Sequence, residues 1–161
     1  MIVDTAITKA RDQTTFLVGE DTDLLLLLLY HAEMDAKELF FRPKPRQRDM
    51  TVRMLWDIKK TKTVLGRNVN SSILFVHASL GCDTTSRVHG IGKGITLKKA
   101  KINAQFRQLA GVFNRSDSSR EDVIEAGEKA LLSVFNAAST ESLNSLHYIK
   151  YCQKVATGHV C

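Results

Sequence analysis

The spacing of apolar positions divides the chain into short elements. Val3, Ala6, Ile7 and Ala10 share one helical face and predict a helix end over 3–12. Thr15-Phe16-Leu17-Val18 is a β-prone run closed by Gly19 and predicts a buried strand. Beyond Glu20, Asp21, Thr22 and Asp23 come the leucines Leu24 to Leu29, a run without period that leaves helix and strand open. Residues 40–65 alternate basic and apolar side chains, which predicts one or two strands with loops, broken at Pro43 and Pro45. Ile73, Leu74, Phe75, Val76, Ala78 and Leu80 predict a mostly buried helix over 69–80, ended by Gly81 in the left-handed conformation. Ile95, Ala100, Ile102, Phe106 and Leu109 predict another helix over 95–110. Residues 111–119 read as a linker-like break. Ser119-Arg120-Glu121-Asp122 reads as a cap for a helix carrying Val123, Ile124, Ala130, Leu131, Val134 and Phe135. Ser139 or Thr140 is the expected cap of a last helix running past Leu143, Leu146 and Tyr148.

Composition narrows the class. The 161 residues are 43% apolar and 25% charged, which excludes wholesale disorder and a fibrous chain. No apolar run approaches the ~20 residues of a membrane span, so no membrane partner is expected. The start of the chain lacks the basic-then-apolar pattern of a secretion signal. Cys82, Cys152 and Cys161 are odd in number and show no paired spacing, which points to a reducing, intracellular compartment.

The net charge of +6 is unevenly spread. Residues 1–41 hold eight acidic and three basic side chains, whereas 42–67 hold nine basic and two acidic ones. Residues 87–107 hold six basic side chains and no acidic one. Basic patches beside clustered carboxylates fit a protein that binds a polyanion next to a metal site; the same charges also fit plain solvated faces.

Three local patterns carry chemistry. In the first, an acidic cluster follows the strand, and sites of open parallel α/β sheets form outside the carboxyl ends of strands. On an extended segment Asp21 and Asp23 face one spot, where two carboxylates favour a hard cation such as Mg²⁺. A strand-end turn explains them equally. The second is Gly81-Cys82-Asp83, where Asp83 is either a ligand or a helix cap. In the third, Gly90-Ile91-Gly92-Lys93-Gly94 precedes a helix with Lys98 and Lys99, a helix start suited to a phosphate, although glycine turns are common. Weaker features keep their ordinary readings. Cys152, His159 and Cys161 lack zinc-site spacing, Cys82 reads as a buried thiol, His77 and Trp56 as core, and His89 as loop surface.

In this order and spacing, the three patterns resemble the flap-endonuclease branch of the PIN-like nucleases over residues 1–110. Gly81–Gly94 is the most specific part of the likeness. The phrases GEDTDLL and GCDTTS also resemble transposon-associated eukaryotic proteins with PIN-like domains. The resemblance implies a three-layer α/β fold with a parallel sheet, incomplete at its N-terminal side. A helix–hairpin–helix follows at about 84–101, and 111–161 form a helical extension. By the same resemblance, Asp21, Asp23 and Asp83 are catalytic and bind Mg²⁺ or Mn²⁺, and Asp4 is the only acid near the place of the family's earlier ligands. Gly90, Gly92, Lys93 and Gly94, with Lys98 and Lys99, would grip nucleic acid, DNA in the first instance; DNA binding is the one argument for the nucleus within the intracellular compartment, since no compact run of five or more Lys/Arg occurs. The implied activity is structure-specific hydrolysis of DNA phosphodiesters.

The family's early aspartate strand and the glutamates of its next helix have no counterpart here. That favours an inactive fold that only binds nucleic acid, or a second copy or partner that completes the sheet. A phosphohydrolase with Asp21 as nucleophile and Asp23 as acid/base is the remaining alternative, and it leaves Gly90–Gly94 unexplained.

Overall fold

The computed structural model describes residues 2–44, 54–79, 81, 92–137 and 142–157. Among them the chain is mixed α/β, with nine helices and one small three-stranded sheet. Asp83, Gly90 and most of the expected hairpin lie outside the described residues, as do Cys82, His89, His159 and Cys161. The chain divides into two compact units, Met1–Leu74 and Phe75–Cys161.

In the first unit, helix α1 (Ile2–Asp12) buries Val3, Ala6 and Ala10, the expected face. Strand β1 (Thr15–Gly19) follows, and the leucine run resolves as helix α2 (Thr22–His31). Two causes settle that choice. Asp21 caps the helix, and the next strand, β2 (Leu39–Pro43), runs parallel to β1, which requires a crossover segment between them. The register runs from Thr15 opposite Leu39 to Gly19 opposite Pro43. Strand β3 (Trp56–Asp57) pairs antiparallel with β2, so the sheet is mixed, in the order β1-β2-β3, where the resemblance implied a parallel one.

The core of this unit gathers Leu17, Leu39 and Phe41 of the sheet against Leu25, Leu28 and Leu29 of α2 and Ile58. β1 is therefore half-buried rather than buried. Its alternate residues Phe16 and Val18 are 58% and 55% exposed, and Phe16 stacks on Phe40 with ring centroids 4.9 Å apart.

Residues 58–65 form helix α3 (Ile58–Leu65) instead of continuing as strand and loop. The Asp57 carboxylate accepts from the Lys60 N–H at 3.0 Å and starts the helix, and Ile58 is fully buried. Lys59 and Lys62 reach back from α3. Lys59 Nζ donates to the Ala36 carbonyl, and Lys62 Nζ donates to the Ala32 carbonyl, which ties down the chain after α2. Burial lowers the pKa of Lys62.

The Lys60 backbone N–H, helped by the Lys60 ammonium 3.2 Å away, holds the Asp57 pKa below its ordinary value. A depressed folded-state pKa contributes stability that is complete above the ordinary carboxylate pKa and is lost as pH falls through the depressed value. Asp57→Asn is expected to keep the cap and flatten that acid-side loss. An acid titration of far-UV circular dichroism checks this, and an unchanged acid midpoint counts against it.

The helix expected over 69–80 is two pieces, α4 (Arg67–Asn70) and α5 (Ile73–Ser79). Ser71 and Ser72 interrupt them, with the Ser71 hydroxyl bonded to the Asn68 carbonyl and Ser72 buried. Gly81 has φ 86°, the left-handed conformation read from its place after an apolar helix.

In the second unit, the helix expected over 95–110 is likewise two, α6 (Lys93–Ile102) and α7 (Ala104–Val112). Asn103 breaks the run: its backbone is extended and its side chain accepts from the Phe106 N–H at 2.9 Å, capping α7. Gly111 and Val112 end α7 and so do not belong to the predicted break. Ser119 and Asp122 form the expected capping box at the start of α8 (Arg120–Val134). The last helix, α9 (Leu143–Ala156), is capped by Ser142 and not by Ser139 or Thr140. Phe106 lies at the centre of this unit's core with Val76, Ala100, Ala130 and Val134. Among the described residues, no helix is long and apolar enough to cross a membrane.

Candidate functional site

The acidic cluster sits at the carboxyl end of β1. Gly19 allows the turn there: a Cβ on it would lie 2.6 Å from Leu24 Cδ1, so the chain folds tightly from strand into helix. Glu20 leaves the strand toward the end of β2 and pairs with Lys44 at 2.7 Å, raising the Lys44 pKa through that hydrogen bond. Both side chains are exposed, so this pair adds little stability.

Asp21 has extended backbone, φ −95° and ψ 128°, and its Oδ1 accepts from the Asp23 N–H at 2.9 Å. Asp23 already belongs to the first turn of α2. The two acids are thus not side by side on an extended segment, as alternation predicted. One caps the helix and the other stands where the helix dipole favours a negative charge. Both remain at the surface, Asp21 exposed and Asp23 half-buried. Arg42, opposite Val18, is exposed at the matching end of β2.

Asp4 is exposed in the first turn of α1. Among the described residues, no group of three or more His, Cys, Asp or Glu side chains lies close enough to hold a metal ion. Asp4, Asp21 and Asp23 therefore do not converge into a three-carboxylate site.

The phosphate-suited turn lies in the second unit. Gly92 is the N-cap of α6 and supplies no side-chain bond, while Lys93 and Gly94 open the helix. A Cβ at Gly92 or Gly94 would meet nothing within 4 Å, so this helix start faces open space. Lys98 is exposed and Lys99 half-buried on the same helix. Arg107, counted within the basic patch, donates to the carbonyls of Ala100 and Lys101 and so holds the end of α6.

The core reading is met at Trp56 and only half met at His77. Trp56 packs against the core of the first unit, and His77 is half-buried on α5. Sequence reasoning missed Gln105, Lys129, Ser133 and Asn136, which line one cleft with Lys99. The only available signal was Asn136 just after an apolar helical run, a position that favours asparagine in the left-handed conformation; its φ is 55°.

Comparison with known proteins finds no matching family model, no matching curated protein and no matching solved structure.

Proposed function

We propose that this chain is a PIN-like protein of the flap-endonuclease branch that cleaves DNA phosphodiesters with a divalent metal ion. The observation that carries the reading is the position of Asp21 and Asp23. They stand at the carboxyl end of a strand paired in parallel with β2 across α2, the place where open α/β sheets form their sites. Arg42, exposed at the matching end of β2, supplies a cation for an approaching phosphate. In the second unit, taken by itself, the Gly92–Gly94 helix start presents backbone N–H groups of the kind that bind a phosphate.

The donor chemistry fits the metal, since Mg²⁺ takes one or two carboxylates and completes its shell with waters and substrate phosphates. Mg²⁺ or Mn²⁺ held by Asp21 and Asp23, with Asp83 as a further ligand by resemblance, would supply Lewis-acid stabilisation of the phosphodiester oxygens. The Asp21 Oδ1 fixes the start of α2, and a metal ion would be held by the carboxylate's other oxygen.

A second reading is a fold that only binds nucleic acid. The engagement of Asp21 as a helix cap favours it, because a cap alone accounts for that residue.

The test is cleavage of labelled flap, Y-shaped and single-stranded DNA with Mg²⁺ or Mn²⁺. Metal-dependent cleavage that chelation stops is the expected result. Salt-sensitive binding without cleavage selects the second reading, and neither cleavage nor binding overturns both.

A further inference from the structure

We propose that the cleft between α6, α7 and α8 is a phosphate-binding site, for a phosphate group carried by nucleic acid or by a free phosphorylated small molecule. The cleft lies wholly within the second unit. Its volume is about 620 Å³, within the range of small-ligand sites. Leu109 and Leu132 form apolar walls, and the polar lining is Lys99, Gln105, Lys129, Ser133 and Asn136.

Three features point to an anion. Among the described residues no acidic side chain lines the cleft, whereas the neighbouring depression at the start of α8 is lined by Asp117, Asp122 and Glu125. Two ammonium groups from different helices flank it, and of the two only Lys129 has an acidic partner among the described residues, so the lining keeps a positive charge that attracts phosphate. The two lysines also differ in what already holds them. Lys129 pairs with Glu125, an exposed partner one helical turn away. Lys99 is half-buried on the wall; its carbonyl accepts from the Asn103 N–H, and its ammonium has no ion pair or hydrogen bond among the described residues.

Neutral donors complete the set. Gln105 and Asn136 bring amide N–H groups and Ser133 a hydroxyl, the groups that bind phosphate oxygens beside Lys and Arg. Asn136 is the one described non-glycine residue with positive φ, and that conformation places it at the rim just past the end of α8.

The site deepens the nucleic-acid reading by adding a backbone contact, and rests on that reading only for the source of the phosphate. The experiment uses the full chain in two arms. Amide chemical shifts are followed during titration with inorganic phosphate, and fluorescence anisotropy measures binding of a labelled single-stranded DNA across salt concentrations.

Phosphate is expected to move the signals of Lys99, Gln105, Lys129, Ser133 and Asn136 together, and Lys99→Ala to abolish the shifts. In the DNA arm, Lys99→Ala with Lys129→Ala should weaken binding by about tenfold and reduce the salt slope by about 1 per lysine. Glu125→Gln releases Lys129 from its competitor, so it should tighten phosphate binding, a gain that damage to the fold would not give. Localised phosphate shifts without DNA binding by the wild type would retain the site for small phosphorylated ligands and remove the nucleic-acid reading. DNA binding unaffected by the lysine variants, with no cleft signals moved by phosphate, would overturn the site and leave the nucleic-acid reading standing.

Discussion

Asp21→Asn is expected to lower metal-dependent cleavage by on the order of a hundredfold or more, at unchanged stability. The physical basis is that the carboxylate has two separable roles. As a cap it needs an oxygen to accept from the Asp23 N–H, and asparagine caps as well as aspartate. As a metal ligand it needs the negative charge, and even residues that only support a metal ligand cost about 10–100-fold when replaced. Asp21→Ala removes both roles and should also destabilise the first unit by about 1 kcal/mol. Measuring cleavage rate and urea unfolding on the two variants separates the roles. If Asp21→Asn cleaves like the wild type while Asp21→Ala is merely less stable, Asp21 is a cap and nothing more, and the nuclease reading loses the residue it rests on.

Phe106→Ala is expected to destabilise the second unit by about 3–5 kcal/mol, the largest effect of any single truncation there. Phe106 is fully buried, its backbone N–H is held by the Asn103 side chain, and its ring meets Phe75 edge-on at 5.7 Å. Its neighbours Ala100 and Ala130 are small and cannot swell to fill the void, so most of the cavity would remain. Since a domain holds only about 5–15 kcal/mol in total, this loss would bring the helical unit close to unfolding at room temperature. Denaturant unfolding followed by far-UV circular dichroism tests it, with Phe113→Ala as the comparison. Phe113 is 40% exposed and packs on the same Phe75, so its truncation should cost clearly less. Equal losses for the two variants would show that Phe106 is not the centre of that core.

Both predictions depend on features with different visibility in the sequence. The capping chemistry was legible at the start of α8, but not at α3, α7 or α9, whose caps are Asp57, Asn103 and Ser142. Ser119 with Asp122 and the left-handed Gly81 were readable because they depend only on neighbours along the chain. The breaks at Asn103 and at Ser71-Ser72 were not. The apolar spacing continues across both, and a polar residue inside such a pattern reads equally as a surface position. The candidate acids were legible as a cluster after a strand, but their arrangement was not. Extended alternation would have placed Asp21 and Asp23 side by side, and the early start of α2 turned one of them into the cap of the other's helix.

The order of residues was enough to set the α/β class, the helix at the start, the strand before Gly19, the absence of a membrane-length apolar run and the placing of positive charge in the two central segments. These follow from local spacing and from charge count, which no packing arrangement alters. Three other features were settled only by packing. The leucine run became a helix because β1 and β2 pair in parallel and need a crossover between them. Phe16 and Val18 face outward because the helices gather on the Leu17 side of the sheet. Lys99 and Lys129, thirty positions apart, line one cleft because α6 and α8 pack around Phe106. Each joins residues distant in sequence, and it is the burial of apolar surface between elements, which spacing within any one element does not encode, that brings them together.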